Sequence, residues 1–129
     1  MKELLLLILV IGFGAAAIKL YARGTAQTKG AAAISPEEAK EKLASGNVLL
    51  LDVRTQAEFA SGHIEGAVCL PNEEITTESP LPEDKETEII LYCRSGVRSK
   101  QAACKLEKMG YVNLYDLGAI SNWPYGLVK

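Results

Sequence analysis

Two short runs, residues 48–53 (VLLLDV) and 88–92 (EIILY), constrain the fold more than any other feature. Each is apolar at nearly every position, so a strand formed there has two faces to bury, and such strands belong to parallel sheets packed between helices. Helix signals fall around them. Ser35, Pro36, Glu37 and Glu38 supply an N-cap hydroxyl, a first-turn proline and two dipole-favoured carboxylates ahead of Ala39, Leu43 and Ala44, predicting a helix that ends near Gly46. Residues 55–60 predict a second short helix stopped by Gly62, residues 67–70 a short strand stopped by Pro71, residues 97–109 a helix closed by Gly110, and residues 112–115 a last strand. Strands separated by helices require right-handed crossovers and give a mostly parallel α/β sheet. In open sheets of this kind ligands bind beyond the carboxyl ends of the strands, which selects residues 52–54 and 93–99.

The chain of 129 residues has room for one domain. With 48% hydrophobic and 23% charged residues it is neither a disordered acidic chain nor a collagen-like polymer. Its net charge of −2 offers no positive field for nucleic-acid phosphates, so no nucleic-acid partner is expected. The charge is uneven: Lys2, Lys19, Arg23 and Lys29 against Glu3 give +3 in residues 1–33, which leaves −5 for the rest. Residues 4–18 (LLLLILVIGFGAAAI) are uncharged, and continuing through residue 22 while Lys19 snorkels gives about 28 Å of helix, close to the thickness of a bilayer core. A membrane anchor or signal segment over 1–22, a linker over 23–33 and a folded domain over 34–129 are therefore expected. Lys19, Arg23 and Lys29 outnumber Lys2, so an uncleaved single-pass anchor orients the domain toward the cytoplasm; a cleaved signal would export it instead. The acidic segment over 72–88 reads as a solvated connection.

Residues 93–99 (CRSGVRS) lie between a buried strand and a helix start, where backbone N–H groups turn inward around one point. Gly96 permits the dihedrals such a cradle needs, and unpaired amides at a helix start form an anion site. A Cys93 thiolate at its centre would be stabilised by those amides and by Arg94 and Arg98, and would be the nucleophile. Cys69, within an apolar strand, reads as a core residue. Cys104, about 16 Å along the helix from Cys93, is too distant for a disulfide and reads as structural. Three widely spaced cysteines and a lone His63 suggest neither a disulfide framework nor a metal site, and no cofactor is expected.

These pieces together resemble a single-domain rhodanese. The matching residues are Leu51-Asp52-Val53-Arg54 with Glu58-Phe59, Gly62-His63-Ile64-Glu65-Gly66-Ala67 leading to Leu70-Pro71, then Tyr92-Cys93-Arg94-Ser95-Gly96-Val97-Arg98-Ser99, Gly110-Tyr111, and Leu117-Gly118 with Trp123. They cover about residues 34–125 in family order. One departure is Ala119 after Gly118, where the family usually shows paired glycines.

The resemblance implies a rhodanese-like α/β fold with a five-stranded parallel sheet flanked by helices, preceded here by the N-terminal hydrophobic helix. It implies a sulfurtransferase: Cys93 takes a sulfane sulfur from thiosulfate or a related small-molecule donor as a persulfide, and a thiol or cyanide acceptor, or a protein acceptor, removes it. Residues 94–99 (Arg94, Ser95, Gly96, Val97, Arg98, Ser99) would bind the anion, with Arg94 and Arg98 either drawing in the donor or ordering the loop. Asp52 and Arg54 would support the loop by hydrogen bonds, and His63 would stabilise a turn. Four residues separate Cys93 from Arg98, as in sulfur-transferring members, whereas phosphatase-like members have five. The alternative is a membrane-tethered persulfide carrier or sulfur-sensing module that binds a partner without turnover.

Overall fold

The computed structural model describes residues 30–129. The apolar segment 1–22 and all but the end of the linker lie outside those residues. No helix among the described residues is long and apolar enough to cross a membrane.

The elements run β1 (Ala32–Ala33), α1 (Pro36–Ala44), β2 (Val48–Asp52), α2 (Gln56–Ser61), β3 (Val68–Cys69), a 3-10 turn (Asn72–Glu74), β4 (Glu88–Cys93), α3 (Val97–Lys108), β5 (Leu114–Ala119) and a second 3-10 turn (Ile120–Asn122). The strands form one five-stranded sheet in the order β1-β5-β4-β2-β3. Every pairing is parallel.

Helix starts are fixed by local chemistry. Ser35 caps α1 by accepting from the Glu38 N–H, and Thr55 and Glu58 form a reciprocal capping box at the start of α2. The apolar run of β4 then divides by the alternation of a strand. Ile89, Leu91 and Cys93 pack with Ala102, Ala103 and Leu106 of α3, while Ile90 and Tyr92 pack with Ala39 of α1. Leu50, Leu51, Ile89, Ile90 and Leu91 are almost wholly buried, each stabilising the sheet by about 1.5–3 kcal/mol.

Two differences from the sequence expectation have physical causes. The last strand covers Leu114–Ala119 instead of residues 112–115, because Tyr111 turns into the core and the exposed Val112 bonds to the Lys85 carbonyl. Asp116 and Gly118 carry little strand propensity, but the ladder offered by β4 overrides it. Ala32 and Ala33, in the segment read as linker, pair with Tyr115 and Asp116 as an edge strand with no apolar signal of its own.

The β4–β5 register positions the site. Leu91 pairs with Asp116, but Tyr92 pairs with Gly118 and Cys93 with Ala119, so Leu117 is the extra residue of a bulge. The bulge sets Gly118 beside the loop that follows Cys93.

Candidate active site

Cys93 is the last residue of β4 and has no exposed surface. The loop that follows turns back over it. Gly96 adopts φ +97° and ψ −10°, a left-handed conformation suited to glycine, and directs its N–H to Cys93 Sγ at 2.9 Å. A Cβ on Gly96 would meet Gly118 Cα at 3.7 Å, so the loop packs against the strand beside it. The buried Ser99 lies 3.7 Å from Sγ through its hydroxyl oxygen and donates to the Gly96 carbonyl at 3.0 Å. That bond keeps the Gly96 carbonyl turned away from the sulfur and its amide turned toward it.

The side chains of residues 94–99 divide. Gly96 and Ser99 face the sulfur, whereas Arg94, Ser95 and Val97 are exposed. Arg98 is turned toward α2, where its two terminal nitrogens donate to Glu58 Oε1 and Oε2 at 2.7 and 3.0 Å. Arg98 holds the Glu58 carboxyl down at about 2, with smaller contributions from the Thr55 bonds. Glu58 in turn raises Arg98 further above its ordinary range.

Asp52 and Arg54 form a second, buried cluster at the end of β2. The Arg54 Nε and Nη2 donate to the Asp52 carboxylate at 2.6–3.1 Å, and both side chains are buried. Nη2 also donates to the Gly62 carbonyl at 2.7 Å. Tyr92 joins them: its hydroxyl donates to Asp52 Oδ2 at 2.7 Å and accepts from the Ile64 N–H at 3.1 Å. Burial, followed by the Asp52 carboxylate, pushes the Tyr92 phenol up. The network ties the ends of β2 and β4 to the turn that carries His63. There His63 stacks on Phe59 at 3.7 Å, its Nδ1 lies 2.9 Å from the Phe59 carbonyl, and its backbone pairs with Val128.

The sequence reading gave Glu58 and Tyr92 no role beyond their place in the motif. The Thr55–Glu58 spacing signals a capping box, but nothing local signals that Glu58 also reaches Arg98. A phenol ending an apolar strand is a weak signal for a buried hydrogen bond.

The remaining cysteines depart from expectation. Cys69 is half-buried with its Sγ 3.8 Å from the Arg54 carbonyl, because the two-residue β3 lies at the edge of the sheet. Cys104 is exposed, because Ala102, Ala103 and Leu106 define the inward face of α3. Among the described residues no group of three or more His, Cys, Asp or Glu is placed to hold a metal ion.

A buried cysteine under a backbone N–H, between a parallel strand and a helix, defines an α/β domain with a cysteine-centred loop. The model of the rhodanese-like domain matches residues 35–124, and the chain belongs to that family. It is similar to a sulfurtransferase of Allochromatium vinosum, with 41% identity over an alignment of 93 residues that covers 70% of this chain and 85% of that protein. It is also similar to a tRNA uridine(34) hydroxylase of Chlamydia trachomatis, 37% identical over an alignment of 110 residues that covers 78% of this chain but only 32% of that protein. Among solved structures, a human single-domain sulfurtransferase matches with a TM-score of 0.65 and 30% identity, covering 73% of this chain and 96% of that one. A rhodanese with anions from E. coli matches with a TM-score of 0.53 and 30% identity, covering 64% and 98%.

Proposed function

We propose that the domain is a sulfurtransferase that carries sulfane sulfur on Cys93 as a persulfide. The single observation behind this reading is the Gly96 N–H aimed at Cys93 Sγ at 2.9 Å within a closed loop. A donor fixed there favours negative charge on sulfur without reorganisation. The relatives named as sulfurtransferases, and the related rhodanese that holds anions, support the same chemistry.

The reaction is a double displacement. The Cys93 thiolate attacks the outer sulfur of thiosulfate or a related donor, and a new S–S bond forms. The bond from that outer sulfur to the rest of the donor breaks, and its electron pair leaves with sulfite. An acceptor nucleophile, cyanide or a thiolate, then attacks the outer sulfur of the persulfide and releases Cys93 as thiolate. No net proton transfer to an oxygen leaving group is needed, and Asp52, occupied by Arg54 and Tyr92, serves the framework.

Mass spectrometry after thiosulfate treatment tests the reading. The peptide containing Cys93 is expected to gain the mass of one sulfur atom and to lose it on addition of cyanide, with multiple turnovers. Persulfide formation without turnover on any small acceptor would favour the carrier instead, and no gain from any sulfane donor would overturn both. We also propose that residues 4–22 attach the domain to a membrane; recovery of the full chain in the soluble fraction after cell lysis would refute this.

A further inference from the structure

Arg94 and Arg98 read alike in the sequence, two cations flanking the glycine of one loop, yet the fold treats them differently. Arg98 meets Glu58 as a fork, with each terminal nitrogen on a separate carboxylate oxygen at 2.7 and 3.0 Å. Glu58 is itself held in place, since its Oε1 also accepts from the Thr55 N–H and hydroxyl at 3.2 and 3.1 Å. The carboxylate cannot swing away without giving up its half of the capping box. With side-chain exposures of 24% and 27%, the pair is partly shielded from water. Cys93 and then Glu73 add further, weaker attractions on Arg98. Glu58 therefore offsets most of the Arg98 charge where it stands. Arg98 is also the second residue of α3, whose first turn receives the Gly96 carbonyl through the Lys100 N–H at 3.4 Å. Arg94, adjacent to Cys93, is exposed and has no side-chain ion pair among the described residues.

We infer that Glu58 is a positioning residue of the site: it withdraws Arg98 from donor binding and uses it to lock the first turn of α3, and with it the Gly96 amide, under the sulfur, leaving Arg94 as the loop cation that recruits an anionic donor. This inference rests on the sulfur-transfer reading. A compact point charge suffices for recruitment, so lysine can replace Arg94. A fork is needed for the lock, so lysine cannot replace Arg98.

The test is steady-state kinetics on the full chain with thiosulfate as donor and cyanide as acceptor, alongside the rate at which neutral iodoacetamide alkylates the Cys93 peptide. Arg94→Gln is expected to raise the thiosulfate KM about tenfold with kcat changed less than about twofold, and Arg94→Lys to restore most of it. Raising salt should bring the wild-type KM toward that of Arg94→Gln. Glu58→Gln, Arg98→Gln and Arg98→Lys are each expected to lower kcat and to change Cys93 alkylation several-fold, because the amide under the sulfur is no longer held. A Glu58→Gln variant with undiminished kcat and wild-type Cys93 alkylation would overturn the inference, since the Gly96 amide would then be held without the Glu58–Arg98 fork. An unchanged KM in Arg94→Gln would overturn it as well. Failure of the wild type to take sulfur from any donor would instead refute the sulfur-transfer reading, while the alkylation comparison, which needs no donor, would still decide whether Glu58 positions the loop.

Discussion

Gly96 approaches Cys93 from above, its N–H 2.9 Å from the sulfur, and it does so from φ +97°. The nearest contact a Cβ would make there is an ordinary 3.7 Å to Gly118 Cα, so the obstacle to substitution is conformational and not steric. Gly96→Ala is expected to cost about 1–2 kcal/mol, a fall of several degrees in melting temperature. The loop can escape that strain only by turning the N–H off the sulfur, which is expected to reduce transfer about tenfold to a hundredfold. Gly96→Asn, which tolerates the left-handed region better, should lie between wild type and alanine in both melting and kinetics. Equal losses for the two variants would show that the dihedral is not what the position requires.

The Asp52–Arg54 fork and the Tyr92 hydroxyl form one buried unit. Asp52→Asn leaves a buried guanidinium without its counter-charge and is expected to cost about 3–5 kcal/mol in urea unfolding near neutral pH. Tyr92→Phe removes one bond to Asp52 and leaves the Ile64 N–H without its acceptor, at about 1–3 kcal/mol. Because the residues share a network, the double variant should lose less than the two single losses combined. A Tyr92→Phe protein as stable as wild type would remove the phenol from the framework.

Much of this was legible because local signals coincide with the final contacts. Ser35-Pro36 and Thr55-Glu58 mark helix starts that the structure caps with those same side chains, and the apolar runs at 48–53 and 88–92 become the central strands. What was not legible depends on partners far along the chain. The partner of Arg98 is forty residues away in α2, so its charge looks free in sequence. Ala32–Ala33 becomes a strand only because β5 presents an open edge, and Asp116 and Gly118 enter β5 only because β4 supplies the ladder. Cys104 lies outward because its neighbour Ala103 lies inward, a phase of the helix that one residue decides.

The three thiols should separate by exposure. Cys104 stands on the outer face of α3, whereas burial, followed by the Asp52 carboxylate, pushes the Cys69 thiol up and lowers its thiolate fraction. Brief maleimide treatment near neutral pH, read by peptide mass, is expected to label Cys104 before Cys69. Cys104→Ser should change stability by less than about 0.5 kcal/mol. A Cys69→Ser, Cys104→Ser protein should still take up one sulfur from thiosulfate. Loss of that adduct in the double variant would relocate the sulfur carrier away from Cys93.

The Glu58–Arg98 pair makes a pH-dependent contribution whose sign follows from the direction of the shift. The Glu58 carboxyl titrates at about 2 in the folded protein against an ordinary value of 4.5, so the unfolded chain takes up the proton first as pH falls. The pair's stabilisation is therefore complete above the unfolded value and is lost as pH drops from there through about 2. The whole shift would correspond to more energy than a partly exposed pair delivers, and the remaining solvent screening reduces the expected gap between wild type and Glu58→Gln to about 1 kcal/mol at neutral pH. The Lys42–Glu88 pair at the other end of the sheet also titrates in acid, but it is common to both proteins and cancels from the difference. Urea unfolding of the two proteins across pH 7 to 2 should show the gap closing in acid, and high salt at pH 7 should narrow it as well. A gap that persists unchanged at the acid end would mean that Glu58 stabilises α2 through its capping bonds alone, with no help from the arginine.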